Sequence, residues 1–422
     1  GPLDMTVFFG FCGIKGYDHL RYPEAHPHSP WSMLELKRTP ETNIFDMIRE
    51  KDLLIHLPYE SFDESVVNFL YSAANDKDVL AIKQTLYRVS SSSPVVQALE
   101  KAVQNGKQVT VLMEVKARFD EANNILMARR LEKAGAHVIY GLVGLKTHSK
   151  CTLVIRREKD GIRRYVHVAT GNYNASTAKL YTDLGILTCS DRFGIDASAF
   201  FNLLSGYSDP PIWDSFIVAP INLRQRCIEL IDREIHFAKN GEDAHMIAKM
   251  NSLLDKGIIE KLYEASQAGV KIELIVRGIC VLIPGIPGVS DNITVRSIVG
   301  RFLEHSRIFW FRNGGREELY ISSADWMPRN LNDRVELMVP IEDPEIKRRL
   351  KQMVDIELSD NQKAHIMQAD GTWLKTISAE NQLCAQEYFQ KIAEKRDAED
   401  EMTLAQKLEP YTPVLGHGDG SD

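Results

Sequence analysis

Apolar and polar positions follow two alternating patterns along residues 79–170. Runs of consecutive or every-second apolar residues predict buried strands, and apolar residues three or four apart predict amphipathic helices between them. Gly106 and Gly135 follow the two helical stretches and predict that each helix ends there. The predicted strands are 79–87, 109–114, 137–140, 149–156 and 165–170, and the predicted helices are 93–105 and 120–134.

The same plan returns in residues 256–323. The segment NGKQVTVLMEV of the first stretch and the segment AGVKIELIVRG of the second occupy matching places. The second stretch predicts helices over 222–239, 256–268 and 343–356, a short helix around 299–304, and strands over 271–277, 293–297, 307–312 and 318–323. Helix, glycine stop and buried strand in alternation predict an α/β fold. The repeat predicts two related tandem α/β domains with a site at their interface.

Length, charge and cysteine spacing narrow the class of protein. A chain of 422 residues is long enough for two or three domains, and its net charge of −7 gives no overall basic field to hold a nucleic acid. A site for a polyanion must therefore be a local cluster of cations. The six cysteines form no C-x-x-C pair, which indicates a reducing, cytoplasmic compartment without a disulfide framework or structural zinc. The sequence contains no run of about 18 apolar residues, so it predicts no integral membrane segment. Peripheral association with a membrane stays open.

The sharpest local motif is a histidine two residues before a cation at the start of a predicted strand. His148 and Lys150 share one face of that strand, where a neutral imidazole can act as a nucleophile and an ammonium can bind phosphate oxygens. So short a motif also fits a histidine at a strand end beside a solvated lysine. His305 and Arg307 repeat the motif, and a small polar loop follows each copy, ATGNYN after the first and SSADW after the second. Duplication of the whole order favours a shared active site.

The duplicated motif resembles that of the phospholipase D superfamily. That resemblance implies two α/β domains whose histidines face each other across the interface, one attacking phosphorus and the other acting as general acid for the leaving group. The sequence departs from the usual pattern, because no aspartate shortly follows Lys150 and because Arg307 replaces the second lysine. These departures count against an ordinary phospholipase or nuclease.

A longer series of segments resembles bacterial polyphosphate kinase of the first type. It runs in order along residues 38–360 and comprises LPYESF, TLYRVSSSS, EVKARFDE, GLKTHSK, HVATGNYN, LYTDLG, LLDKG, IVRGICVLIPG, VSDNI, FLEHSR and SSADWMPRN. The resemblance implies a carboxy-terminal fragment of such a kinase. Residues 1–37 would be a tag scar and the end of a head domain, 38–215 and 216–394 two phospholipase-D-like catalytic domains, and 395–422 a flexible tail.

The resemblance also implies a role for each matching residue. His148 would attack the γ-phosphate of ATP and become a phosphohistidine that passes the phosphoryl group to polyphosphate. His305 would protonate the leaving oxygen. Lys150 would bind phosphate beside the nucleophile. His167 would either support the phosphorylated histidine or serve the structure alone, and both readings stay open.

Further residues would contact the nucleotide or the phosphate chain. Tyr181 and Arg277 match residues that contact nucleotide in the family, with core packing as the alternative for Tyr181. A buried Arg277 needs an anionic partner, which would be a phosphate, Asp183 or Asp291. Asp183 would otherwise orient a histidine. A cationic channel for the polyanion would be lined by Lys146, Lys150, Arg307, Arg329 and Arg334.

Two arginines correspond to the metal region of the family. Arg88 and Arg118 cannot ligate Mg²⁺ themselves, because a guanidinium has no free lone pair. We therefore expect them to clamp the phosphates of a Mg²⁺-bound nucleotide. For Arg118 the alternative is a surface pair with Asp120 or Glu121 at the start of a helix.

The leading hypothesis is a polyphosphate kinase that transfers phosphate reversibly between ATP and inorganic polyphosphate, with Mg²⁺ required and ADP as the other nucleotide. The full-length protein would be a homo-oligomer. One alternative is a phospholipase-D-like phosphodiesterase or nuclease, which would use His148 and His305 but need no ATP. The other is a non-catalytic fragment that binds polyphosphate and lacks the amino-terminal domains.

Overall fold

Two mixed β-sheets organise the chain, one in each half. The computed structural model describes residues 5–34, 42–90, 92–116, 121–206 and 212–408. The strands of the first half are β1 (Leu53–Leu57), β2 (Val79–Leu86), β3 (Gln108–Met113), β4 (His137–Tyr140), β5 (Lys146–Thr147), β6 (Lys150–Glu158), β7 (Gly161–Ala169) and β8 (Tyr181–Thr188). Those of the second half are β9 (Ile217–Ala219), β10 (His245–Met250), β11 (Lys271–Val276), β12 (Ile293–Ile298), β13 (Leu303–Glu304), β14 (Ile308–Phe311), β15 (Glu318–Ser322), β16 (Arg334–Pro340), β17 (Ala364–Met367) and β18 (Trp373–Lys375).

The two halves follow one plan of strand order. The first sheet runs β1-β8-β7-β6-β2-β3-β4, and the second contains the matching series β9-β16-β15-β14-β10-β11-β12, extended by β17 and β18. In both series the first strand is antiparallel to its neighbour, and the strands of the βαβ units are parallel. The prediction of two tandem α/β domains is confirmed.

Helices connect and flank these strands. They span Phe8–Cys12, Ile44–Glu50, Asn68–Asn75, Pro94–Gln104, Glu121–Ala134, Asp191–Leu204, Leu223–Lys239, Lys256–Gln267, Pro328–Asn332, Pro344–Leu358 and Ala385–Leu408. The Ser93 and Asp255 side chains accept from backbone N–H groups in the first turns of corresponding helices in the two halves. Gly106, Gly135 and Gly269 follow helices with φ of 79°, 105° and 100°, so the predicted helix stops are left-handed positions that favour glycine.

Two short strands cross from one half to the sheet of the other. β5 pairs in parallel with β16, placing Thr147 opposite Val335. β13 pairs in parallel with β8, placing Glu304 opposite Thr182. In each half, the two residues before the candidate histidine therefore pair with a strand of the opposite half's sheet.

Some expectations about the ends of elements were wrong. The short helix predicted around 299–304 is a bend followed by β13, because the backbone of Leu303–Glu304 is hydrogen-bonded to β8. Helix Ala385–Leu408 extends into the flexible tail predicted over 395–422, and the flexibility of that tail stays a prediction. Residues 1–4, which contain the predicted tag scar, and residues 409–422 lie outside the described residues. The predicted domain limits stay predictions.

The core joins the two halves through the inner faces of their sheets. Leu184 of β8 and Leu337 of β16 belong to one buried cluster, together with Phe200 of helix Asp191–Leu204. Burying each such side chain contributes about 1.5–3 kcal/mol. This shared cluster fixes β8 beside β16, and both strands border the site. Within the described ranges, no helix combines the length and the apolar character needed to cross a membrane.

Candidate active site

His148 is oriented by a buried carboxylate of the other half. Its Nδ1 lies 2.9 Å from both carboxylate oxygens of Glu336, which is fully buried in β16. Glu336 also accepts hydrogen bonds from the Ser323 hydroxyl and from Nδ2 of Asn330. The Tyr87 ring packs edge-on against the imidazole, with 4.8 Å between centroids. We assign the proton to Nδ1, because a carboxylate surrounded by donors holds it there and leaves the lone pair on Nε2.

His305 has the corresponding arrangement with the first half. Its Nδ1 lies 2.8 and 2.9 Å from the two carboxylate oxygens of Asp183 in β8. The Thr170 hydroxyl donates to Asp183 at 2.6 Å, and the backbone N–H of His305 donates to the Thr182 hydroxyl at 3.2 Å. The structure thus places Asp183, the carboxylate expected to orient a histidine, against His305.

The two histidine–carboxylate pairs cross the interface in opposite directions. Asp183 and Glu336 occupy equivalent places in β8 and β16, each followed by a buried leucine. The sequence analysis missed Glu336, although the repeat carried the signal: TDLG and VELM are corresponding segments. Because each carboxylate serves the other half's histidine, the site forms only at the interface, as the repeat predicted.

A buried cation stands two residues after each histidine. Lys150 is 1% exposed, and its Nζ donates to the carbonyl of His148. Arg307 donates to the carbonyl of His305 at 2.7 Å, and its Nη1 lies 3.2 Å from Nε2 of that ring. Asp325 accepts from Nε of Arg307 at 3.1 Å and holds the guanidinium in place. Both cations therefore border the space where a phosphate would meet the imidazoles.

Burial and neighbouring charges tune the two histidines. Burial, reinforced by Lys150 and Arg334, lowers the pKa of His148 well below its usual value, so this imidazole is neutral near pH 7. Burial also lowers the pKa of His305, against the opposing effect of Asp183. Burial lowers the pKa of Lys150 to about 7. A neutral His148 is suited to nucleophilic attack, and the paired carboxylate suits His305 to proton transfer.

The two predicted nucleotide contacts lie next to His305. The Tyr181 ring is 5.2 Å from the His305 ring, centroid to centroid. Arg277 donates from Nε and Nη2 to Oδ1 of Asn251 at 3.0 and 2.9 Å. Asn251 in turn donates to the carbonyl of His305 at 3.2 Å. An amide, rather than Asp183 or Asp291, accepts from Arg277, and the other expected partner, a phosphate, stays a prediction.

Other predicted residues lie at varying distances from the histidines. His167 faces Thr152, two residue pairs along the sheet from Lys150, and its Nδ1 lies 2.9 Å from the Tyr173 hydroxyl. Burial lowers the pKa of His167 to about 3. The Arg88 guanidinium lies 5.6 Å from the ring centroid of Tyr87, the residue whose ring packs against His148.

The remaining predictions for the site concern four cationic side chains and the metal ion. Lys146 of β5 and Arg334 of β16 lie opposite each other in the register of the two strands. Arg329 is exposed. Arg118, with its alternative partner Asp120, lies outside the described residues. Among the residues described, no three histidine, cysteine or carboxylate side chains cluster in a way that could hold a metal ion.

Comparisons with known proteins agree with the geometry. Residues 43–210 match a family model described as "Polyphosphate kinase C-terminal domain 1", and residues 216–386 match "Polyphosphate kinase C-terminal domain 2". The chain is 57% identical over 366 residues to the polyphosphate kinase of Halalkalibacterium halodurans, covering 86% of this chain and 51% of that protein. It is 54% identical over 415 residues to that of Synechocystis sp., covering 93% and 57%.

A solved structure is similar as well. The crystal structure of polyphosphate kinase from Porphyromonas gingivalis gives a TM-score of 0.81 at 38% identity, covering 90% of this chain and 57% of that one. The chain thus spans about half the length of the relatives it matches.

Proposed function

Because the chain belongs to the polyphosphate kinase family, we propose that it transfers the γ-phosphate of ATP reversibly to inorganic polyphosphate through a phosphohistidine on His148. The observation that carries the proposal is the crossed pair of histidine–carboxylate contacts, His148 with Glu336 and His305 with Asp183. Both imidazoles are held through Nδ1, which leaves both Nε2 atoms available to act on a single phosphorus, one as nucleophile and the other as acid. A single nucleophile would need only one such pair.

The first step forms a bond between Nε2 of His148 and the γ-phosphorus and breaks the bond from that phosphorus to the β–γ bridging oxygen. His305, as the imidazolium that bound phosphates favour, gives its Nε2 proton to the leaving oxygen of ADP. In the second step, a terminal hydroxyl oxygen of polyphosphate attacks the phosphohistidine, the P–N bond breaks, and Nε2 of His305 takes up the hydroxyl proton. The second step regenerates the neutral imidazole of His148, and the reverse sequence makes ATP from polyphosphate.

Cations around the histidines would neutralise the charge of the substrates. Lys150 and Arg307 lie beside the imidazoles, and Arg277 and Tyr181 border His305, where the nucleotide would lie. Mg²⁺ would enter with ATP, bound to its phosphate oxygens and to water, because this ion prefers such oxygen ligands. Arg88 and Arg118 would clamp those phosphates rather than ligate the ion.

The proposal extends to where the protein works. A cytoplasmic location fits a kinase that uses ATP, and all six cysteines are unpaired, as a reducing compartment requires. The homo-oligomer expected of the full-length protein stays a prediction.

Labelling with [γ-³²P]ATP and Mg²⁺ tests the reaction. We expect acid-labile, base-stable label that maps to His148 and moves into polyphosphate when polyphosphate is added. His148→Ala should abolish the label, and His305→Ala should slow its formation by about 10²–10⁴-fold. His236→Ala is the matched control, since His236 is exposed on helix Leu223–Lys239.

The competing functions give different results in the same assay. Label that persists in His148→Ala would overturn the assignment of the nucleophile. Cleavage of a phosphodiester without ATP would support a phosphodiesterase instead. Polyphosphate binding without label, on a chain whose full-length relative does become labelled, would show that this part only binds the polymer.

A further inference from the structure

A fully buried ammonium and two buried carboxylates lie behind the second histidine. Lys249 of β10 is 2% exposed, and its Nζ donates to Glu304 of β13 at 2.6 Å and to Glu357. Glu304 also accepts from the Thr182 hydroxyl of β8 at 2.9 Å and from Nε2 of Gln386 at 2.6 Å. Glu304 therefore binds donors from both sheets and from the carboxy-terminal helix.

Thr182 connects this cluster to His305. Its hydroxyl donates to Glu304 and accepts from the backbone N–H of His305. The next residue, Asp183, accepts from the ring of the same histidine. A displacement of Glu304 would therefore reach both the backbone contact and the ring contact of His305.

The segment that leads to His305 is held closely as well. Nε2 and Oε1 of Gln386 bond the carbonyl and the N–H of Phe302, at 2.9 Å each. Gly300 approaches so near that a Cβ there would lie 2.4 Å from Oε1 of Gln386. The backbone of the segment that precedes β13 is therefore tightly constrained.

The first half uses neutral side chains at the corresponding positions. Thr147 takes the place of Glu304 before the histidine, and Thr85 takes the place of Lys249 in the strand ladder. The Thr85 hydroxyl donates to the carbonyl of Ser149 at 2.8 Å, and Glu114 accepts from the backbone N–H of Thr147 at 2.7 Å. Glu114 is itself buried, but no lysine–glutamate ion pair occupies these positions among the described residues of the first half. Because a buried ion pair is costly, its presence in the second half alone is not explained by the need to hold such a strand.

We propose that Glu304, held by Lys249, which also donates to Glu357, is a positioning residue that fixes His305 for proton delivery to the leaving oxygen. The inference rests on the proposed function, in which His305 is the general acid. A misplacement of about 1 Å in such a group can cost about 10²-fold in rate. In the first half, Glu114 accepts from one backbone N–H of the corresponding strand, whereas Lys249, Thr182 and Gln386 make three directional contacts with the Glu304 carboxylate.

Single-turnover phosphorylation of His148 tests the role. Glu304→Gln should slow it by about 10–100-fold, with the KM for ATP changed less than about twofold, because the ring is misplaced while the nucleotide contacts remain. The same substitution in a His305→Gln background should have no further effect, since it acts through that ring. Glu234→Gln, a fully buried glutamate elsewhere in the second half, is the matched control.

Two threonine variants keep the test independent of folding losses. Thr182→Ser retains the hydroxyl and should keep the wild-type rate, whereas Thr182→Val keeps the shape and should reproduce the loss of Glu304→Gln. A wild-type rate in Glu304→Gln would overturn the inference. So would an equal further loss in the His305→Gln background, because that pattern shows general structural damage.

A measurement without turnover separates this inference from the proposed function. The Nδ1 proton of His305, bonded to Asp183, should give a downfield resonance in ¹⁵N-histidine spectra. In Glu304→Gln that resonance should shift or broaden while the resonance of His148 stays unchanged. An unaltered His305 resonance would overturn the positioning role, whereas absence of label on the wild-type chain would count against the kinase reaction alone.

Discussion

Replacing Glu336 with glutamine tests whether this carboxylate fixes the reactive nitrogen of His148. Glu336 accepts hydrogen bonds from His148, Ser323 and Asn330 and is fully buried. A glutamine of the same shape brings one acceptor and one donor to a place where three donors meet. A donor facing the imidazole reverses the hydrogen bond, so that Nδ1 accepts and the ring proton moves to Nε2.

The size of the effect follows from the loss of the lone pair. With the proton on Nε2, the atom that attacks the γ-phosphorus in the proposed reaction has no free lone pair. Removing the comparable carboxylate behind a catalytic histidine while keeping its geometry costs about 10⁴ in rate. We expect Glu336→Gln to slow phosphorylation of His148 by about 10³–10⁴-fold, which corresponds to about 4–5.5 kcal/mol. ATP affinity should change little, because Glu336 lies on the far side of the ring.

Rapid-quench labelling with saturating [γ-³²P]ATP measures this rate directly. The Glu234→Gln variant controls for the loss of a buried carboxylate, and a thermal melt shows that both variants are folded at the assay temperature. A Glu336→Gln rate within tenfold of wild type would refute the reasoning. The proton would then be placed on Nδ1 by something other than this carboxylate.

Three further predictions concern the same site and its support. Burial lowers the pKa of His305, so added tripolyphosphate should raise that pKa by favouring the imidazolium, and an unchanged value in an NMR titration would contradict its role as the acid. Burial raises the pKa of Glu357 to about 7 from 4.5, so its contribution to stability is fully present below about pH 4.5 and is lost as the pH rises through 7. Glu357→Gln should therefore flatten the fall in melting temperature between those values, and an unchanged slope would argue against this assignment. Tyr181→Ala should raise the KM for ATP by about 10–100-fold through lost stacking on the base, whereas Tyr181→Phe should not, and equal effects of the two would indicate that the hydroxyl matters instead.

Local features of the fold were predictable from the sequence because near neighbours determine them. Gly106 and Gly269 end helices since each adopts a positive φ, and that requirement can be read from a single position after an amphipathic run. The repeated histidine–cation motif was equally visible, since His148 and Lys150 lie two residues apart. The α/β class and the interface location followed from these two observations.

Contacts between the halves could not be read in the same way. Val299, Phe302 and Leu303 have a spacing typical of a helix, but β8 takes the backbone of Leu303–Glu304 into its ladder. Glu336 lies 188 positions from His148 along the chain, and only the fold brings them together. Arg277 donates to the side-chain amide of Asn251, because the ends of neighbouring strands in the second half bring these two residues together.

The exchange of β5 and β13 makes the proposed nucleophile, His148, and the proposed acid, His305, interdependent. If the halves parted by about 1 Å, the contacts of His148 with Glu336 and of His305 with Asp183 would both exceed hydrogen-bonding length together. Each half on its own would carry a histidine without its carboxylate and a carboxylate without its histidine. In the proposed reaction, separating the halves would therefore impair both steps, because each step needs its own histidine–carboxylate contact.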